Sequence, residues 1–196
     1  MTGILLAGGE SKRMGTDKAF LEFNKRKLFE YPLAILTSLC NEILISSADS
    51  RYEITGFPVI PDKYPGQGPM AGIYTCLSIA KYPKSLILSC DLPMMDEAFI
   101  KLIVDRSKDF SATMGRNRKG KPEPMAGVYK KSLAHALETS LKKGENKLQT
   151  LFEMVNTQYI DPSHEGFDPD LIYLNVNSPK DFQYLINHPP NIGKNG

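Results

Sequence analysis

Residues suited to phosphate and metal chemistry are concentrated at a few points of the 196-residue sequence. The segment LAGGESKRMGTDKA, Leu6 to Ala19, gathers three glycines, Ser11, Lys12, Arg13 and Lys18 directly after a short apolar run. Glycine lets a backbone come close to a phosphate and turn its N–H groups toward it. Arg13 would meet such a phosphate as a planar fork and Lys18 as a compact point charge. The spacing is neither GxxxxGK(S/T) nor GxGxxG, so neither the P-loop nor the dinucleotide fingerprint applies.

Asp91 follows the apolar run SLILS and precedes Leu92-Pro93. A carboxylate there can cap a turn. Beyond the carboxyl edge of a sheet it also suits magnesium, which takes oxygen ligands and needs only one or two carboxylates besides waters and substrate phosphates. Asn175 and Asn177 flank Val176, so on a strand both amides would point to the same side; they can equally bond backbone ahead of Ser178-Pro179. Gly68-Pro69-Met70-Ala71-Gly72 opens a helix with proline at its favoured first position, and Gly68 and Gly72 would clear space for a flat base. Arg116, Arg118, Lys119 and Lys121 form a basic run that faces either water or an acidic ligand.

These residues need elements to place them, and the pattern alternates strand and helix. Gly3–Ala7, Glu42–Ser47 and Ser85–Ser89 read as buried strands. Helices are expected from Leu28 to Cys40, from Met70 to Ala80 and after a capping Asp96, where Phe99, Ile100, Ile103 and Val104 form one face. Strands at 111–114 and 125–129 flank the basic run. Leu133, Leu137 and Leu141 mark a further helix stopped by Lys142-Lys143-Gly144. Leu171–Val176 reads as a last strand, and Ser178 begins a last helix carrying Phe182, Leu185 and Ile186. Short strands between amphipathic helices imply one three-layer α/β/α domain over residues 1–188, with a mostly parallel sheet and a frayed tail at 189–196. Ligands in such sheets bind beyond the carboxyl ends of the strands. The loops after Ala7, Ile60 and Ser89 lie there, and they hold the unusual chemistry.

Composition narrows the class. Net charge is +2, with 41% apolar and 23% charged residues, values that call for neither nucleic acid nor membrane as partner. Apolar residues precede the charges at the N-terminus, the reverse of a signal peptide, so a cytoplasmic location is expected. Cys40, Cys76 and Cys90 are odd in number and widely spaced, which speaks against disulfides or structural zinc. Cys90 beside the candidate site reads as a small buried apolar residue. His135, His164 and His188 are scattered, and no Ser-His-Asp or Cys-His pairing suggests a protein nucleophile.

LAGG-x-S-x-RMG-x-DK resembles the signature of the molybdenum cofactor guanylyltransferases, part of a larger nucleotidyltransferase family with a Rossmann-like sheet. GPMAG (68–72), CDLP (90–93), KPEPM (121–125) and NVNSP (175–179) follow in matching order over nearly the whole chain. The resemblance implies transfer of GMP from GTP to Mo-molybdopterin with release of pyrophosphate, assisted by Mg²⁺. It places Leu6, Ala7, Gly8, Gly9, Lys18, Ser46, Asp62, Gly68, Gly72 and Asp91 at GTP, with Asp91 holding the metal and Asn177 near it. Arg13, Lys18 and Asp91 are then the catalytic set, and Asn175, Asn177, Arg116, Arg118 and Lys121 are candidates for the acceptor side. It further implies transient contact with proteins that carry molybdopterin or receive the finished cofactor. Two departures stand out. Ser46 occupies a position where these enzymes carry Asn, and Lys25 and Lys27 replace the usual Gly and Pro.

The acceptor phosphate is already an anion, so no general base is required. Catalysis reduces to positioning and to neutralising charge on the leaving pyrophosphate. Asp62 would accept from the paired N1–H and N2–H₂ donors of guanine, an edge that cytosine and uracil lack. Gly8-Gly9 stands where cytidylyl relatives tend to carry Ala-Gly. The competing readings are a cytidylyltransferase on molybdopterin, a transferase on a sugar or alditol phosphate, and a non-catalytic GTP-binding module. A scaffold protein would leave the glycine and charge in the strand-end loops unexplained.

Overall fold

A strand buried on both faces has no need of alternating polarity, and β1 (Thr2–Leu6) is entirely buried in the computed structural model, which describes residues 1–8 and 18–188. It pairs in parallel with β4 (Glu42–Ser46), Gly3 opposite Ile43, and with β6 (Lys84–Ser89), Gly3 opposite Leu86. β5 (Val59–Ile60) extends the sheet beside β4. On the other side β8 (Pro122–Lys130) runs antiparallel to β6 and to β7 (Ala112–Arg116), and β9 (Thr157–Ile160) lies parallel to β7. The seven-stranded order is β5-β4-β1-β6-β8-β7-β9. Successive side chains leave opposite faces. Leu5, Ile45 and Leu88 pack with Leu36 of α1 (Glu30–Leu39) and Phe99 of α3 (Glu97–Arg106). Ile4, Leu44 and Ile87 pack with Leu77 of α2 (Pro69–Ile79), Leu137 of α4 (Leu133–Lys142) and Leu151 of α5 (Leu148–Met154). This is the three-layer, mostly parallel α/β/α arrangement expected.

Local signals account for most boundaries. Asp96 caps α3, its carboxylate accepting from Ala98 N at 2.7 Å. Leu133, Leu137 and Leu141 are all buried, and Gly144 follows α4 with φ +75°. β2 (Glu22–Phe23) and β3 (Arg26–Lys27) form a small hairpin whose turn residues Asn24 and Lys25 both have positive φ.

The expected strand over Leu171–Val176 does not form. Asp168 caps Pro169, and a short helix α6 (Pro169–Ile172) takes up Leu171 and Ile172 instead. The sheet position beside β7 is filled by β9, whose sequence TQYI lacks an alternating apolar pattern. Residues 173–177 run as an irregular segment, tied to the sheet by Val176 N donating to Asp91 O at 3.1 Å. In α7 (Pro179–Asn187) only Leu185 of the expected apolar face is buried; Ile186 is 45% exposed. Among the described residues no helix is long and apolar enough to cross a membrane.

Candidate active site

Three segments far apart in sequence meet at the carboxyl end of β6. Asp91 stands two residues past the strand, and Ser89 Oγ donates to its Oδ1 at 2.6 Å. Lys18, opening a short 3-10 turn (Lys18–Phe20), reaches Asp91 Oδ2 with its Nζ at 2.8 Å and also donates to Asn177 Oδ1. The two side chains of this ion pair are 16% and 17% exposed. With its amide nitrogen inward, Asn175 donates to Asp91 Oδ2 at 2.5 Å; with its oxygen inward it accepts from Asn177 Nδ2 at 3.0 Å.

Asn175 and Asn177 therefore converge as expected, though through a tight turn rather than a strand. Asn177 N donates to Asn175 O at 3.1 Å. A capping box fixes that turn. Ser178 Oγ accepts from Asp181 N at 3.3 Å, while the Asp181 carboxylate accepts from Asn177 N at 3.0 Å. The ammonium of Lys18 among the oxygens of Asp91 and Asn177 shows that these oxygens converge on a cation. Asp91 is consequently a paired charge. Among the described residues no three His, Cys, Asp or Glu side chains gather as a metal group. One carboxylate plus amide oxygens is an oxygen donor set that fits a hard cation sharing its shell with waters and phosphates.

A second cluster lies toward β5. Ser46, at the end of β4 and 2% exposed, donates from Oγ to Asp62 Oδ1 at 3.0 Å. Among the described residues no cationic group accompanies this half-buried carboxylate, and burial pushes it above its ordinary range, with the Ser46 hydrogen bond pulling the other way. A Cβ on Gly72 would overlap Ser46 Oγ and come within 3.2 Å of Asp62 Oδ1. The space beside Gly72 is thus filled by the Ser46–Asp62 pair, not left clear for a base as the sequence suggested. Gly68 is the N-terminal cap of α2 at φ +69°, ψ −162°, a conformation open essentially to glycine alone. Among the described residues a Cβ on Gly8 would meet only Ser46 O, at 3.9 Å. Leu6 and Ala7 join the strand ends, Cys90 N donating to Leu6 O at 3.0 Å and Ala7 N to Ser46 O at 2.9 Å. Gly9 and Arg13 lie outside the described residues.

Sequence reasoning missed the brace under the Asp62 loop. Glu138 of α4 accepts from Tyr74 OH at 2.7 Å and from Lys63 Nζ and Tyr64 OH, both at 3.1 Å. Hydrogen bonds from Tyr74 and Lys63 hold its carboxyl down at about 2. Nothing marked this glutamate, since an acidic residue in an amphipathic helix ordinarily faces water.

The β7–β8 hairpin carries the basic run over the same edge of the sheet. Its arginines are partly committed. Arg118 pairs with Asp168 at 2.8 Å and with Asp170, and Arg116 stacks on Tyr159 at 4.5 Å from the ring centre. Lys121 is exposed. Cys90 is buried, in keeping with its reading as a small apolar residue.

Comparison with known proteins decides the family. Residues 3–161 match the model of the MobA-like NTP transferase domain. The chain belongs to this family. A relative from Carboxydothermus hydrogenoformans, named "Probable molybdenum cofactor guanylyltransferase", is 34% identical over 188 residues, covering 95% of each chain. One of the same name from a Geobacillus species is 32% identical, covering 95% of this chain and 98% of its own. The solved molybdopterin-guanine dinucleotide biosynthesis protein A of Archaeoglobus fulgidus superposes with a TM-score of 0.78 at 22% identity, over 95% of this chain and 97% of that one. The chain is thus a MobA-like nucleotidyltransferase, and the Asp91 and Asp62 clusters occupy the strand ends where such a fold binds ligands.

Proposed function

We propose that the protein transfers GMP from GTP to Mo-molybdopterin, releasing pyrophosphate. The observation that carries this reading is the convergence of Lys18, Asp91, Asn175 and Asn177 at one strand end, in a chain whose relatives bear the guanylyltransferase name. Magnesium, held by Asp91 with Asn177 beside it, would screen the phosphates from one another and stabilise charge on the leaving group. With a cation on Asp91, Lys18 would be free to turn toward phosphate, since one carboxylate cannot fully compensate both. Arg13 adds charge from the glycine-rich loop, and Gly8 and Gly9 offer backbone N–H groups. The acceptor phosphate attacks the α-phosphorus, the phosphoanhydride bond from that phosphorus to the bridging oxygen of the leaving pyrophosphate breaks, and no proton need be removed by the protein. Asp62, with its free lone pairs, accepts from the N1–H and N2–H₂ edge of guanine. A cytidylyl or uridylyl donor would leave that buried acceptor unpaired. We place the reaction in the cytoplasm, with protein partners limited to transient contacts that deliver molybdopterin or take the product.

The test is pyrophosphate release with each of the four nucleotides, with and without molybdopterin. Release is expected only with GTP and molybdopterin together. Nucleotide binding without release would instead mark a GTP-binding module, and release with CTP a different transferase.

A further inference from the structure

Asp62 is not the only carboxylate kept half-buried without a cation. Glu123, in the KPEPM segment at the start of β8, is half-buried, and one oxygen accepts from Asn117 Nδ2 at 2.7 Å. No basic side chain pairs with it among the described residues, and burial pushes its carboxyl up, opposed only by the Asn117 hydrogen bond. The contrast with its neighbours is sharp: Asp91 has Lys18, Glu138 has Lys63, and Glu165 has Arg106. A carboxylate withdrawn from water without compensation is costly, and such groups persist where a ligand supplies the missing donors.

Its place in the fold indicates which ligand. The β6–β8 register pairs Leu88 with Ala126, and Glu123 lies three residues before Ala126 on the antiparallel strand, so it sits at the same carboxyl edge of β6 as Asp91, on the neighbouring strand. That strand is on the side away from Asp62, since β5, which leads to Asp62, lies across β4 and β1 in the other direction. The irregular segment 173–177 reaches toward both Asp91 and Glu123, with Asn175 and Asn177 at Asp91 and the buried Tyr173, whose hydroxyl has no hydrogen-bond partner among the described residues, near enough to feel the charge of Glu123. Two carboxylates without a cationic partner among the described residues thus lie on opposite sides of the Lys18–Asp91 pair along the sheet edge.

The 2-amino-4-oxo edge of a pterin ring presents the same donor pair as the 2-amino-6-oxo edge of guanine, a ring N–H beside an exocyclic NH₂. We infer that Glu123 binds this edge of the acceptor pterin, as Asp62 binds that of guanine. The inference rests on the guanylyltransferase reading above, because it requires a pterin as acceptor. Asn117 then orients the carboxylate from the hairpin, leaving the second oxygen for the ligand.

The experiment compares wild type with Glu123→Gln and Glu123→Ala in GMP transfer, varying molybdopterin and GTP separately and recording melting temperatures. Glu123→Gln retains an acceptor for Asn117 but turns an N–H₂ toward the donors of the pterin. The expected result is a rise of about tenfold or more in the KM for molybdopterin in both variants. The KM for GTP should stay within about twofold, and melting should be unchanged or higher because an unpaired buried charge is removed. An unchanged molybdopterin KM in both folded variants overturns the inference and leaves the proposed function standing. Equal increases in both KM values with a lowered melting temperature also overturn it, as the mark of a merely structural residue. Absence of any transfer by wild type removes the proposed function itself, and the inference with it.

Discussion

Asp91 and Asp62 are carboxylates at strand ends of one sheet, yet they are held in opposite ways. Asp91 is met by the ammonium of Lys18 and the amide of Asn175, and by the hydroxyl of Ser89. Asp62 is met by one neutral hydroxyl, that of Ser46, in a space that only glycine at position 72 leaves open. The first arrangement lets one cation replace another. The second holds an acceptor in place and leaves its remaining lone pairs for uncharged donors. On the proposed function, the first region handles phosphate charge and the second reads a base.

The sharpest way to break this contrast is to neutralise Asp91. Asp91→Asn should reduce magnesium-dependent GMP transfer by at least about 100-fold, since the cation loses the carboxylate that holds it. It also leaves Lys18 without its counter-charge, so the metal-free protein should lose about 1–3 kcal/mol, seen as a lower midpoint in urea. Unchanged stability would mean that the Lys18–Asp91 pair contributes nothing. Lys18→Ala should cost about 100- to 1,000-fold in turnover while the protein stays folded. Near-normal turnover would remove Lys18 from the chemistry.

Asp62 should respond to pH where Asp91 responds to metal. Its folded carboxyl stands above the ordinary 3.8. The stability it contributes is therefore complete below the unfolded value and is lost as pH rises through the folded one. Guanine binding needs the ionised form, so the KM for GTP should climb as pH falls through the raised value. Ser46→Ala removes the hydrogen bond that pulls this value down, and the acidic limb of the KM profile should move to higher pH. A limb that stays in place would separate Ser46 from Asp62. The smallest effect touches neither carboxylate. Lys25 sits at φ +63° in the β2–β3 turn, and Lys25→Gly should stabilise by about 0.5–1 kcal/mol without altering any KM.

The parts of the molecule written in local pattern were legible in the sequence. The buried strands β1, β4 and β6, the Asp96 cap and the Leu133/Leu137/Leu141 stripe follow from periodicity and capping chemistry, and the strand-end loops located Lys18 and Asp91. What escaped depends on distant partners. Leu171–Val176 has a strand's composition, but the Asp168-Pro169 pair starts a helix there and β9 already fills the sheet edge. The commitment of Arg118 to Asp168 and Asp170, the brace at Glu138 and the filling of the Gly72 space by Ser46 are tertiary contacts with no local signature.

The central claim is that the two regions together join a guanine nucleotide to a pterin phosphate. Its most direct test is the mass of the product formed when the purified protein, magnesium and Mo-molybdopterin are incubated with an equimolar mixture of GTP and CTP. The account predicts the guanine dinucleotide of molybdopterin with pyrophosphate in equal amount. A product carrying cytosine, or consumption of GTP that leaves molybdopterin unmodified, would contradict it.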